Sequence, residues 1–494
     1  MINRKFSKLG IVCCLFFGYG CQIFAQNPLS TKGLQNPGLK GGMAQANITP
    51  PVGCRLAGHF YESISTGIHD SLWAKAMVLQ QGNNKFVFIF CDLIGLTREI
   101  STSARSKISA ITGVPFSHIL VAATHSHTGP LFYGFQHAYF HNKALKTGID
   151  PHEKTDYVQF LINQIVKSAV DANHKLSQIK IEVGVTREEG LSYNRRYYMK
   201  NGEVIFNPGP LNPDIVRPAG PTDPELGIVM LRNTKSEKFQ GGVSLFAMHA
   251  DTFGGTEISA DYPYYLEQVL KTELGSEFIS AFALGACGDL NHINTKVDEP
   301  IYSPDNSSRI GQKLGNAVLN KLTKLRPIQQ PSLKMMVAKI ELPLQVPTKD
   351  QIDTARKIIN NLYQANASGE YMKRAGGESG DFLKRVEMSK YLNLAKQNKT
   401  VSVEVQVFRI DAETAIVGLP GELFSELGLA IKKQSPFKNT FVMTVCNDKT
   451  SYIPTRKAFT EGSYEVTNAI VKAGAGEKLV ETAGRLLKEI KTNQ

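Results

Sequence analysis

Residues 119–130 read Ile-Leu-Val-Ala-Ala-Thr-His-Ser-His-Thr-Gly-Pro, and no other stretch constrains the fold as tightly. A short apolar run of strand length leads directly into two imidazoles, and a Gly-Pro turn stops it. Alternate residues on a strand point to the same side. The spacing therefore predicts that His125 and His127 face one pocket from a strand end, where backbone holds them firmly and a ligand can still reach them. Neutral imidazole is the commonest metal-binding side chain, and a His-x-His pair suits zinc. The pair also fits two polar turn residues, or a core histidine with a hydrogen bond. Further ligands must come from elsewhere in the chain.

The same context recurs. Ser244–Met248 leads to His249, Thr414–Leu419 leads through Pro420-Gly421 to Glu422, and Val442–Val445 leads through a polar turn to Tyr452. Sites are commonly assembled from such element ends. Each residue has an ordinary reading as well: a turn histidine, a glutamate favoured by a helix dipole, a half-buried tyrosine.

Between these points the pattern is mixed. Lys75–Gln80 and Lys85–Phe90 read as strands joined by a Gln-Gly-Asn-Asn turn. Helical spacing marks Glu99–Thr112, Asp156–Ala172, Tyr262–Leu274, Arg309–Leu325 and Gly476–Ile490. Strands are predicted at Gly227–Arg232, Gly242–Met248, Phe278–Leu284 and Lys334–Leu344, and a hairpin at Val401–Gly418. Proline-rich Asn207–Pro224 reads as a loop. Asp350–Gln397 reads as mostly helical with an interruption near Gly376-Gly377, and Glu422–Lys433 as a helix starting at Glu422. Strands and helices do not alternate strictly, so the expected class is α+β, mixed β-sheets packed with helices.

Met1–Lys8 carries Arg4, Lys5 and Lys8, Leu9–Tyr19 is apolar, and Ala25-Gln26 precedes a polar segment. This is the pattern of a secretory signal peptide, too short to span a membrane. The expected organisation is a signal over 1–26 and one domain over 27–494, with export to the periplasm or medium. Cys21 offers a rival lipoprotein site, but Gly18 stands where an aliphatic residue is favoured. Beyond the signal, Cys54, Cys91, Cys287 and Cys446 remain without framework spacing. They read equally as exported disulfides or as buried free thiols. The net charge of +12 is spread along the chain without an aromatic-interleaved basic patch, so no nucleic-acid partner is expected. A basic surface is compatible with peripheral contact to an anionic membrane.

Residues 123–130, Ala-Thr-His-Ser-His-Thr-Gly-Pro, match the Ala-Thr-His-x-His-x-Gly-Pro signature of the neutral (alkaline, non-lysosomal) ceramidases. Further matches follow in order: Gly67-Ile68-His69-Asp70, Asn194-Arg195, His249 with Ser259-Ala260-Asp261-Tyr262, Leu419-Pro420-Gly421-Glu422, Ser451-Tyr452 and Tyr464-Glu465. The chain thus resembles the catalytic domain of that family. The resemblance implies one zinc held by His125, His249, Glu422 and Tyr452. It also implies that His127, Arg195 and Tyr464 lie near the reacting carbonyl, with His127 able to move a proton and Arg195 or Tyr464 to steady an oxyanion. The substrate implied is a lipid or other small molecule with an N-acyl bond, a ceramide-like lipid or an acylated amino sugar, cleaved by metal-activated water.

Two departures stand out. Gly288-Asp289-Leu290-Asn291-His292-Ile293 has Asn291 where the family places a catalytic serine. Asn291 is left as a hydrogen-bond donor and His292 as an additional acid or base. The sequence also ends at Gln494, soon after Tyr464, without the family's immunoglobulin-like domain and the lipid docking it implies. These departures keep a zinc-dependent esterase or carbohydrate-active hydrolase, and a non-catalytic binding protein on the same scaffold, as alternatives.

Overall fold

The structure, a computed structural model, describes residues 38–364 and 380–492. The expected signal at 1–26 and the interruption at Gly376-Gly377 lie outside these residues. No helix among the described residues is long and apolar enough to cross a membrane.

The largest sheet runs, in spatial order, Ile279–Leu284, Phe239–Phe246, Glu225–Asn233, Ser177–Arg187, Lys40–Asn47, Trp73–Gln81, Asn84–Cys91 and Ile119–Ala123, with Arg326–Pro327 pairing alongside Ser177–Arg187. The sheet curls so that its first strand faces the far half: Lys75 Nζ on Trp73–Gln81, buried, donates to the Ser280 carbonyl on Ile279–Leu284 at 2.9 Å and also binds Glu267. A second sheet of four strands is built from Lys334–Pro343, Thr400–Arg409, Thr414–Gly418 and Asn439–Met443. Phe408, Ile416, Phe441 and Met443 of this sheet share a core with Phe86, Phe88, Val243 and Leu245 of the first. The fold is α+β, as expected.

Within it are three strand–helix–strand units with parallel strands. Asn84–Cys91 and Ile119–Ala123 flank helix Arg98–Thr112. Phe239–Phe246 and Ile279–Leu284 flank helix Tyr262–Leu274. Thr414–Gly418 and Asn439–Met443 flank helix Ser425–Gln434. Local chemistry sets these helices. Thr97 caps the first by accepting from Ile100 N, and Gly113 closes it at φ 70°. Asp261 caps the second, with Pro263 in its first turn.

Most predicted elements form where expected, with three corrections. The helix predicted from Arg309 begins at Pro304, because Ser303 accepts from Asn306 N and a proline suits the first turn. Loop 207–224 contains a strand, Ile215–Pro218, that pairs with Arg196–Met199. Glu422 does not open a helix: Glu422–Leu423 is a short strand, parallel to Tyr452–Ile453, and the helix starts at Ser425. All four described cysteines are free thiols.

Candidate metal centre

Parallel strands present their carboxyl ends on one side, and ligands gather there in open sheets. Here the three units bring their carboxyl ends to one place. His125 follows Ile119–Ala123, His249 follows Phe239–Phe246, Glu422 follows Thr414–Gly418, and Tyr452 lies beyond Asn439–Met443. The remaining two strands supply anchors. His125 Nδ1 lies 2.7 Å from the Ile94 carbonyl, beyond strand Asn84–Cys91. His249 Nδ1 lies 2.9 Å from the carbonyls of Cys287 and Leu290, beyond strand Ile279–Leu284. Carbonyls only accept, so each Nδ1 carries the hydrogen and each Nε2 keeps its lone pair. This is how ligating histidines are normally oriented.

Both Nε2 lone pairs converge on one carboxylate oxygen. Glu422 Oε2 lies 3.2 Å from His125 Nε2 and 3.3 Å from His249 Nε2. His125 Nε2 and Glu422 Oε2 are buried and take part in no aligned hydrogen bond. The Tyr452 hydroxyl lies 3.4 Å from His249 Nε2. His125, His127 and His249 place ring nitrogens within 4.8 Å of one another. The residues therefore fit a cation: lone pairs converge where burial of unpaired acceptors is otherwise costly. Burial, with Arg195 and His125 nearby, keeps the His249 imidazole below its usual value.

Strain positions these groups. His125 has φ 69° and Ser451, just before Tyr452, has φ 62°. Non-glycine residues adopt this region at a cost on the order of 1–3 kcal/mol, and such strain gathers at functional sites. The His-x-His pair is thus not the simple strand alternation expected. The strand stops at Ala123, and the left-handed turn at His125, rather than the pleat, sets the two rings 4.9 Å apart. Gly421, at φ 67°, lets the chain turn into Glu422, and a side-chain carbon there would meet the Ser451 carbonyl at 2.7 Å. At Gly288 such a carbon would lie 2.4 Å from the Glu422 carbonyl oxygen, so the anchoring loop approaches the ligand loop only through glycine.

His127 joins the cluster differently. No backbone carbonyl anchors its ring among the described hydrogen bonds, and its Nε2 is buried without a partner. Burial pushes its pKa well below the ordinary value. Arg195 is buried and fixed: Nε lies 2.7 Å from Glu465 Oε1 and a terminal nitrogen donates to the Gly288 carbonyl at 2.8 Å. Its guanidinium carbon lies 5.3 Å from the Tyr452 ring and 5.8 Å from the Tyr464 ring. Tyr464 packs edge-on against Tyr452, with ring centres 5.5 Å apart.

Asn291 lies deeper. It is fully buried, accepts from Ile293 N at 3.1 Å and donates to Asn207 Oδ1 at 3.1 Å. It reaches the cavity only through Asn207, which lines it. His292 is likewise committed, with Nδ1 3.1 Å from Asp251 Oδ1 and Nε2 2.7 Å from the Ile301 carbonyl. Burial opposes ionisation of Asp251, yet His292 holds its carboxyl far below the usual range. His69 and the Ser259-Ala260-Asp261 segment are braces. Asp70 binds His69 Nδ1 at 2.9 Å and accepts from Ala260 N at 2.8 Å, while Ser126 and Thr128 donate to the Ser259 carbonyl.

Two cavities meet at the cluster. One, of about 130 Å³, is walled by Phe60, Tyr61, Phe206, Phe382 and Tyr464 and reaches Arg195 and Asp251. The other, of about 490 Å³, touches His125 and Glu422 and is lined by Lys390, Asn393, Lys449 and Thr450. His127, Tyr452 and Tyr464 border both. Sequence reasoning missed the parts played by Glu465 and Asp251 and, in the aromatic wall, Phe60, Tyr61, Phe206 and Phe382. Glu465 was visible only as the neighbour of Tyr464, and Phe60 and Phe382 carry no local signal because they meet across 5.6 Å from distant segments.

The neutral/alkaline non-lysosomal ceramidase N-terminal family model matches residues 40–298, more than half of the chain. The curated neutral ceramidase of Pseudomonas aeruginosa is 25% identical over 263 residues, 51% of this chain and 36% of that protein. The match thus spans about a third of that relative's length. The crystal structure of neutral ceramidase from Pseudomonas aeruginosa superposes with a TM-score of 0.69 at 17% identity, covering 92% of this chain and 75% of that one. A ceramidase complexed with C2 superposes equally, covering 76% of its chain. The sequence match contains His125, His127, Arg195, His249 and Asn291, while Glu422, Tyr452 and Tyr464 lie beyond it. On the family match, the chain belongs to the neutral/alkaline non-lysosomal ceramidases.

Proposed function

We propose that the protein is an exported zinc-dependent amidohydrolase that cleaves the N-acyl bond of a ceramide-like lipid or acylated amino sugar. One observation carries the reading: two imidazoles with carbonyl-fixed Nδ1 atoms aim their Nε2 lone pairs at one buried Glu422 oxygen beside the Tyr452 hydroxyl. His125, His249, Glu422 and Tyr452 would hold the ion. Zinc, when bound, polarises a carbonyl and lowers the pKa of water to about 7.

The chain's own residues do the rest. His127, unanchored, takes a proton at Nε2 and returns it to the departing amine. Arg195, locked by Glu465, and the Tyr464 phenol face the position where charge develops on the acyl oxygen. Asn291 has a positioning role, holding Asn207 at the cavity wall. The aromatic cavity suits the acyl group. Metal analysis and N-acyl turnover by wild type and His125→Ala test this. Loss of both metal and turnover in the variant is expected; equal activity in the two would eliminate the site.

The larger cavity favours a second reading for the leaving group. Lys390 and Lys449 line it, with Lys390 Nζ donating to Gln345 Oε1 at 3.2 Å and Lys449 Nζ 5.3 Å from the Tyr133 ring centre. A hydroxyl-rich or sugar head fits this lining, through an amide or an ester. A panel of amides, esters and glycosides separates these, with amide turnover alone expected.

A further inference from the structure

A second cluster of histidines and carboxylates lies away from the metal centre, on helix Gly134–Leu145 and the loop after it. His137 and His141 are one helical turn apart and share a face. Their rings are nearly parallel, at 8°, with centres 5.8 Å apart. The loop returns Asp150 and Glu153 to this face. Glu153 divides its oxygens: Oε1 lies 2.6 Å from His137 Nε2 and Oε2 lies 3.1 Å from His141 Nδ1. His141 Nδ1 also lies 2.9 Å from Asp150 Oδ2. The ligand atoms of His141, Asp150 and Glu153 all lie within 4.8 Å of one another.

We propose that His141, Asp150 and Glu153 bind a divalent first-row transition cation, Mn2+ or Zn2+, as a structural staple independent of the catalytic centre. Imidazole with carboxylate oxygens suits such ions. Charge points the same way. The carboxylates of Glu62, Asp150 and Glu153 surround the single guanidinium of Arg55, so two negative charges are left uncompensated when the imidazoles are neutral. A divalent cation cancels that excess, which no other cationic side chain reaches among the described ion pairs. Outer contacts of the usual kind are in place: Arg55 donates to Asp150 at 2.7 Å, and His137 holds the far oxygen of Glu153.

The staple has a consequence for the main site. Gln136, on the same helix, donates from Nε2 to the carbonyls of His59 at 2.6 Å and Tyr61 at 3.3 Å. His59 and Phe60 wall both cavities. A cation at His141 therefore fixes the helix that holds this wall.

The test is calorimetric titration of the chelator-stripped full chain with Mn2+ and with Zn2+. Wild type is expected to bind one more equivalent than His141→Gln. His125→Ala is expected to keep that equivalent, and His137→Gln to bind it about 10–100-fold more weakly. Metal should raise the Tm of His125→Ala but leave that of a His125→Ala/His141→Gln double variant unmoved. Equal stoichiometry in wild type and His141→Gln overturns the proposal. Should His141→Gln fail to fold by circular dichroism, Glu153→Gln takes its place in the same comparison, with the same two outcomes.

Discussion

The two histidine clusters bring together similar side chains by opposite routes. The central one draws His125, His249, Glu422 and Tyr452 from four strand ends, buries them, and holds them through strained backbone and carbonyl anchors. The peripheral one takes His137, His141, Asp150 and Glu153 from one helix and its following loop, with both imidazoles partly in solvent. A buried set of lone pairs has no water to turn to, so its geometry must be imposed by the whole fold. A partly exposed set can satisfy itself with water and ion pairs, so local sequence is enough to build it. The difference teaches that the first site should depend on supports spread through the fold, whereas the second should depend on its own ligands and the few side chains that touch them.

The largest effect tests the central cluster directly. Glu422→Gln removes the oxygen on which both Nε2 atoms converge, and the expected loss in N-acyl turnover is on the order of 10,000-fold, with loss of bound metal by elemental analysis. Next comes the ion pair that fixes Arg195 at the cavity wall. Arg195→Met leaves the buried Glu465 with only part of its cationic company, since Arg196 also pairs with it at 3.1 Å. Breaking a buried pair from one side costs about 3–5 kcal/mol, readable by urea unfolding; a cost below about 1 kcal/mol would break the contrast drawn above.

A pH series sharpens it. Burial lowers the His59 pKa to about 4 from its ordinary value of 6.5. The unfolded chain binds that proton more tightly, so the stability is present above pH 6.5 and is lost as pH falls from 6.5 towards 4. It amounts to roughly 3.4 kcal/mol at most. His59→Gln should flatten that part of the pH–stability curve. The smallest effect belongs to the peripheral cluster: without metal, His141→Gln should shift stability by no more than about 0.5 kcal/mol, because the side chain it replaces is 32% exposed.

Much of the candidate site was legible because the chemistry sits next to strong local signals. His125 and His127 follow an unbroken apolar strand, and His249 follows another. Glu422 was legible as a residue but not as a structure. Pro-Gly before a run with helical spacing reads as a helix start, and the parallel pairing of Glu422 with Tyr452 overrides it. That pairing joins residues thirty apart across the helix Ser425–Gln434, and local periodicity carries no trace of such a partner. Asn291 reads as an active-site donor from its place in a motif, yet the fold spends both of its polar groups on Ile293 and Asn207.

The amino-acid order alone determined most strand and helix positions and the identity of the candidate ligand side chains, because these depend on neighbours a few residues away. Only the tertiary structure decided that three parallel strand pairs end at one point, that Ile94, Cys287 and Leu290 carbonyls fix which nitrogen of each imidazole is free, and that His125 turns through a left-handed backbone. Those are matters of distance between segments far apart in the chain, set by how two sheets share one core, and no local pattern of residues encodes them.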